Sequence, residues 1–281
     1  MKSTVRFKVL GAAALVCGAV AASLVATDAG AATVSAAQRI APARASDAHK
    51  PTVVLLHGAF ADSSSWNSEI SYLRRHDYPV YAIDTPLRGV AYDSAYVEAQ
   101  LKTIDGPVVL VGHSYAGEVI SQVAAETPNV KALVYVAALI PQVGDSANSL
   151  IGQFPGSELT PENLRTVPLP DGATDVYIKA DKFGTAYGNG LPKAGIRTAS
   201  VTQEPIAFSA LTDKATVNPP KGTPKWAVIA TDDHAVPTRA QKFEADRAGA
   251  RISYVRSGHD VPAIAPHAVN RAIVAAADSL R

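Results

Sequence analysis

Val108-Val109-Leu110-Val111-Gly112-His113-Ser114-Tyr115-Ala116-Gly117 is the stretch on which the fold turns. Its aliphatic run reads as a strand buried on both faces, and the serine among small residues reads as a tight turn. The stretch from Tyr115 to Ala125 reads as the helix that follows. Small residues two positions before and two positions after Ser114 let the chain reverse sharply and expose the hydroxyl at the helix N-terminus, which is a nucleophile elbow. The usual spacing is G-x-S-x-G; here Ala116 holds the last position and glycine is displaced to Gly117. The plain alternative is an ordinary strand-to-helix turn with a capping serine.

On either side of this stretch the same alternation continues. Strands are expected at Thr52–Leu56, Pro79–Ile83, Pro107–Val111, Ala132–Leu139, Trp226–Ala230 and Arg251–Val255. Helices are expected at Ser64–Arg75, Ser94–Ile104, Tyr115–Ala125, Thr238–Arg247 and Pro266–Leu280. In the last of these, Val269, Ile273, Val274, Ala277 and Leu280 recur at three- and four-residue spacing and form one apolar stripe. The pattern predicts an α/β domain over residues 51–281 with a mostly parallel central sheet and helices on both faces. Residues 142–224 interrupt it. They are rich in Gly, Pro, Thr and Asn and contain no long apolar strand, so they are expected to form a small cap of helices over the carboxyl edge of the sheet, where ligands bind in open α/β folds.

With 281 residues, 47% of them hydrophobic, the chain can bury one sizeable core. A formal net charge of +1, with both signs interspersed, gives no attraction to nucleic acid or to an anionic membrane surface, and a small neutral substrate fits better. Residues 1–31 read as a secretory signal peptide. Lys2, Arg6 and Lys8 begin it, Val9 to Ala26 is apolar, and Ala29-Gly30-Ala31 offers a cleavage site. Cleavage would release a secreted (extracellular) protein with no stable membrane association, starting with a flexible lead-in over residues 32–50. The sole cysteine, Cys17, lies in the leader, which leaves the mature chain without disulfides, a thiol nucleophile or thiolate metal ligands.

A serine hydroxyl needs a base to take its proton. Of the seven histidines, His259 alone lies in the turn directly after the last expected strand, the glycine-marked Ser257-Gly258-His259. The acid should lie between serine and histidine in the chain, after an earlier strand. Thr231-Asp232-Asp233-His234 offers two adjacent carboxylates after the Trp226 strand, and Asp145 is a third candidate. An oxyanion needs two preorganised N–H donors. One is expected from Tyr115 and the other from the loop Leu56-His57-Gly58-Ala59-Phe60, at Ala59 first and Phe60 second. Phe60, Phe183 and Tyr187, with Phe154, Tyr177 and Phe208, are the aromatic residues available to line a substrate pocket or pack the cap. No histidine and carboxylate cluster has metal-ligand spacing.

The order of His57-Gly58-Ala59-Phe60 with Trp66, Gly112-His113-Ser114-Tyr115-Ala116-Gly117, Thr231-Asp232-Asp233-His234-Ala235-Val236-Pro237 and Ser257-Gly258-His259 resembles the bacterial α/β-hydrolases related to plant methyl esterases and hydroxynitrile lyases. The resemblance runs from Pro51 to the end of the chain, close in the core and loose in the cap. It implies the α/β-hydrolase fold, a Ser114–His259–Asp233 triad with the acid at Asp233, and no metal or organic cofactor. It also implies hydrolysis of a small neutral carboxylic ester through an acyl-enzyme. A cyanohydrin-cleaving lyase would use the same triad, but the lyases carry threonine and lysine where this chain has Gly58 and Asp260. A ligand-binding protein on the same fold is the third reading, and such proteins often lose a triad residue.

Overall fold

The computed structural model describes residues 50–281. The leader expected at residues 1–31, with Cys17, and all but the last residue of the lead-in at 32–50 lie outside the described residues. The aliphatic runs become β1 (Thr52–Leu56), β2 (Val80–Ile83), β3 (Val108–His113) and β4 (Val130–Val136). The residues after β4 contribute three short strands, β5 (Leu164–Pro168), β6 (Thr174–Ile178) and β7 (Ile206–Ala207), before β8 (Lys225–Ala230) and β9 (Arg251–Val255) return to the core. β1–β4, β8 and β9 form one six-stranded sheet in the order β2-β1-β3-β4-β8-β9, and every pair in it is parallel.

Ten α-helices and one 3₁₀ helix, Ser63–Trp66, accompany the strands among the described residues. α1 (Asn67–Arg75), α2 (Val90–Leu101) and α3 (Ala116–Glu126) fall between the first four strands. α4 (Ala147–Gly152), α5 (Phe183–Ala186), α6 (Lys193–Ala199) and α7 (Phe208–Thr212) fall between β4 and β8, and α8 (Thr238–Arg247), α9 (Val261–Ile264) and α10 (Pro266–Asp278) follow β8. Because successive strand residues point to opposite faces, the continuous apolar runs feed two cores at once. Val54, Leu56, Leu110 and Leu133 pack with Val97 of α2 and Val119, Ile120 and Val123 of α3. Val53, Leu55, Val109, Val111 and Val134 pack with Leu73 of α1 and with Val269, Ile273 and Ala277 of α10. Each such buried Val, Leu or Ile side chain contributes roughly 1.5–3 kcal/mol.

Two expectations need correction. The strand expected to run to Leu139 ends at Val136, because Ala137 takes a φ of 43° and turns the chain over the elbow, where the N–H of Leu139 bonds to the carbonyl of Ser114 at 3.2 Å. The segment after β4 is not purely helical. β5, β6 and β7 form a three-stranded antiparallel sheet, its first two strands joined through Asp171-Gly172, with Gly172 at a φ of 88°. Those strands are short, and their alternation of apolar with polar residues is weak, so no continuous run marks them. No helix among the described residues is long and apolar enough to cross a membrane.

Candidate active site

Ser114 follows β3 directly and holds a φ of 54°, a left-handed conformation that strains a residue with a side chain. Backbone bonds hold it there: its N–H donates to Val136 at 3.1 Å and its carbonyl accepts from Gly117 at 3.0 Å. The displaced glycine of the motif is explained by the chain passing overhead. A Cβ on Gly117 would lie 2.0 Å from the carbonyl oxygen of Leu139, whereas position 116 accommodates a methyl group in the core. Gly112 lies so close to the backbone of Ala116 that a Cβ there would sit 2.8 Å from its carbonyl oxygen.

Beyond the ends of β8 and β9 the chain stays paired, Thr231 N–H to Val255 at 2.9 Å and Asp232 N–H to Ser257 at 3.0 Å. This brings Asp233 beside His259. Nδ1 of His259 lies 2.8 Å from Oδ2 of Asp233, and Nε2 lies 2.8 Å from Oγ of Ser114. A carboxylate only accepts, so Nδ1 carries the proton and the lone pair of Nε2 faces the serine hydroxyl. All three residues are buried. The other candidate acids are elsewhere: Asp232 is exposed beside His234, and Asp145 is bound to Arg247 at 2.6 Å.

Several further groups complete this arrangement, and of them Gln241 is the one that sequence reasoning did not single out. Gln241 of α8 donates to Oδ2 of Asp233 at 2.8 Å while accepting from the N–H of Ala230 at 3.0 Å. A lone glutamine on an amphipathic helix gives no sequence signal for this. Oδ1 of Asp233 accepts from the N–H groups of Ala235 at 2.8 Å and Val236 at 2.9 Å. His113 donates from Nε2 to the carbonyl of His259 at 2.9 Å, and burial beside His259 keeps it neutral by pushing its pKa well down. His57 accepts from the N–H of Thr85 at 2.9 Å and bonds the carbonyl of Gly58 at 2.9 Å, which fixes the loop after β1. Burial lowers its pKa too.

The N–H groups of Ala59 and Tyr115 have no hydrogen-bond partner among the described residues. That of Phe60, the second choice for the oxyanion loop, donates to the carbonyl of Glu204 at 3.2 Å and is therefore occupied. Above Ser114 and His259 lies a narrow cavity of about 50 Å³, walled by Phe60, Tyr115, Leu139, Asn148, Ile151, Leu159, Leu164, Tyr187, Leu211 and Val236. Phe60 and Tyr187 are thus among its walls. Phe183 does not; it stands behind Tyr187, ring centroids 5.2 Å apart. Phe154 packs on Phe243, Tyr177 lies under Arg165, and Phe208 is half exposed. Most of the wall is aliphatic and comes from the cap, where the sequence offers no pattern to select those residues. No group of three or more His, Cys, Asp or Glu among the described residues is arranged to hold a metal ion.

The sequence pattern of the alpha/beta hydrolase family matches residues 53–272. The chain belongs to that family. This α/β hydrolase is 26% identical over 210 residues to a chloroplastic Arabidopsis thaliana protein named as a methylesterase, covering 67% of this chain and 47% of that one. It is 23% identical over 212 residues to the pyrethroid hydrolase of Sphingobium wenxiniae, covering 68% of this chain and 74% of that one. The chain spans about half the length of most of the curated relatives it matches. Its fold resembles that of tomato methylketone synthase I, solved with 2-tridecanone, at a TM-score of 0.70 and 16% identity over 83% of this chain and 99% of that one.

Proposed function

We propose that this α/β hydrolase is a serine ester hydrolase that cleaves a small uncharged carboxylic ester. The observation that carries the reading is the continuous chain Ser114 Oγ–His259 Nε2 and His259 Nδ1–Asp233 Oδ2, both links 2.8 Å, beneath an apolar cavity. In this reading His259 takes the proton of Ser114 as Oγ bonds to the ester carbonyl carbon. The carbonyl oxygen becomes an oxyanion between the N–H groups of Ala59 and Tyr115. As the intermediate collapses, the bond to the alcohol oxygen breaks and His259 returns the proton to that oxygen. Water, deprotonated by the same histidine, then releases the acid from Ser114. Asp233 keeps the imidazole in the required tautomer and stabilises its cationic form.

Among the described residues no charged side chain other than the reacting groups lines the cavity, and about 50 Å³ has room for only a few water-sized groups, which favours a short apolar acyl half. The lyase reading is opposed by Gly58. A Cβ there would lie 2.7 Å from Cβ of Ser114, so a threonine does not fit this backbone. We propose secretion on the strength of residues 1–31 alone; an intact N-terminus on the protein recovered from cells would oppose it.

The test is covalent capture. A fluorophosphonate should add once, at Ser114, and aryl esters should be hydrolysed with rates falling as the acyl chain lengthens. A folded protein that takes up no label at Ser114 and cleaves a cyanohydrin instead would replace this reading with the lyase.

A further inference from the structure

Tyr115 contributes more than its backbone. Its ring is buried, and its phenol donates to Oδ2 of Asp93 at 2.8 Å. Asp93 lies in the first turn of α2 and has no exposed surface. Its other oxygen accepts the backbone N–H of Arg88 at 3.0 Å. The guanidinium of Arg88 then reaches into the cap, with Nη1 2.6 Å from Oδ1 of Asp175 on β6 and Nη2 2.7 Å from the carbonyl of Pro205. The same stretch of chain is fixed to the cap again where the N–H of Ala207 donates to the carbonyl of Leu87 at 2.8 Å. The residue after the serine is therefore tied through one buried carboxylate to the loop between β2 and α2, which is bonded to the cap.

The peptide between Ser114 and Tyr115 presents the N–H that the proposed mechanism uses, and it follows a residue held at a φ of 54°. A strained turn keeps its geometry only where its surroundings over-determine it. The backbone bonds at Ser114 supply part of that constraint, and the phenol–carboxylate bond is its side-chain part. We infer that Asp93 is a positioning residue: through the hydroxyl of Tyr115 it fixes the direction of the Tyr115 N–H toward the developing oxyanion, and through Arg88 it registers the cap against the same point. The inference rests on the proposed ester hydrolysis. Asp93 touches no reacting atom; a misdirected donor weakens binding of the tetrahedral state while leaving binding of the planar ester nearly unchanged.

The experiment compares Tyr115→Phe, which deletes one oxygen, with Asp93→Asn, which keeps a neutral partner for the phenol. Three readouts are needed on folded protein: kcat and KM for a short aryl ester, the affinity of an aryl boronic acid that becomes tetrahedral on Ser114, and the affinity of an uncharged amide that stays planar. Removing an oxyanion donor outright costs about 100- to 1,000-fold, and misdirecting one should cost less. Tyr115→Phe should lower kcat and boronate affinity by about tenfold, with KM and amide affinity within about twofold. Asp93→Asn should fall between it and the unaltered protein, at about threefold. A merely structural role would lower all affinities together. If Tyr115→Phe does not fold, Asp93→Asn decides alone. Either folded variant with unaltered kcat and boronate affinity overturns the inference, while absence of ester hydrolysis in the unaltered protein would overturn the proposed function instead.

Discussion

On one flank of His259 the carboxylate of Asp233 receives four hydrogen bonds, from His259, Gln241 and the N–H groups of Ala235 and Val236. On the other flank, buried polar atoms of Trp66, Glu69 and Asp260 have no hydrogen-bond partner among the described residues. Both neighbourhoods are removed from solvent, and their electrostatics differ accordingly. Burial raises the pKa of Glu69 to about 9, with Asp260 adding to the shift, and raises that of Asp260 to about 6. A buried carboxyl without donors around it holds its proton to higher pH. The bonded flank is therefore the one on which rate should depend, and the unbonded flank the one on which stability should depend.

The largest expected effect tests the bonded flank. Asp233→Asn retains the shape of the acid but favours the wrong imidazole tautomer, and kcat of the folded variant should fall by about 10⁴-fold. Asp232→Asn, one residue earlier and exposed, should stay within about twofold. Steady-state kinetics on the two folded variants separates them, and the reverse result would move the acid by one position.

The next effect tests the unbonded flank. Because the folded-state pKa of Glu69 lies above the usual carboxyl value, the unfolded chain gives up its proton first as pH rises. The unfolded state then binds fewer protons, and stability falls from about pH 4.5 upward until pH passes about 9. Glu69→Gln cannot ionise. It should flatten this decline, so that its stability relative to the unaltered protein improves by on the order of a few kcal/mol between pH 5 and pH 8, with kcat nearly unchanged. Urea unfolding at the two pH values measures it; parallel declines in both proteins would show that Glu69 is not held neutral.

The same contrast explains how much was legible in the sequence. Parallel strands buried on both faces must be continuous aliphatic runs, so β1, β3 and β8 can be read directly, and the turns after them must carry the residues that face the carboxyl edge. Ser114 and His259 stand out because glycines mark their turns, Gly112 and Gly117 around one and Gly258 before the other, where a Cβ would meet Asn189 at 1.9 Å. The cap carries no such constraint. Its strands pair through short, mixed segments, and Ile151, Leu159, Leu164 and Leu211 become cavity wall through a tertiary arrangement that their spacing does not encode. The aromatic residues, which chemistry alone would choose, are mostly spent on packing.

Gln241 is the smallest of the expected effects and the sharpest test of what bonding does for Asp233. Its amide nitrogen is 2.8 Å from Oδ2 of Asp233 and 2.7 Å from the carbonyl of Val236, so it ties the acid to its own turn. Gln241→Leu removes that donor while Asp233 keeps three others, and a carboxylate with most of its partners stays oriented. The expected loss is therefore about tenfold in kcat, equivalent to about 1.4 kcal/mol, with KM unchanged. Gln241→Glu should do more damage at neutral pH than Leu does, because it replaces the donor with a second buried carboxyl against Asp233. One of the two must then hold a proton, and that proton competes with His259 for the shared oxygen. Activity of the Glu variant should consequently lie below that of the Leu variant. If both variants match the unaltered protein in kcat, the hydrogen bonds around Asp233 do not govern rate, and the contrast between the two flanks of His259 reduces to a difference in stability alone.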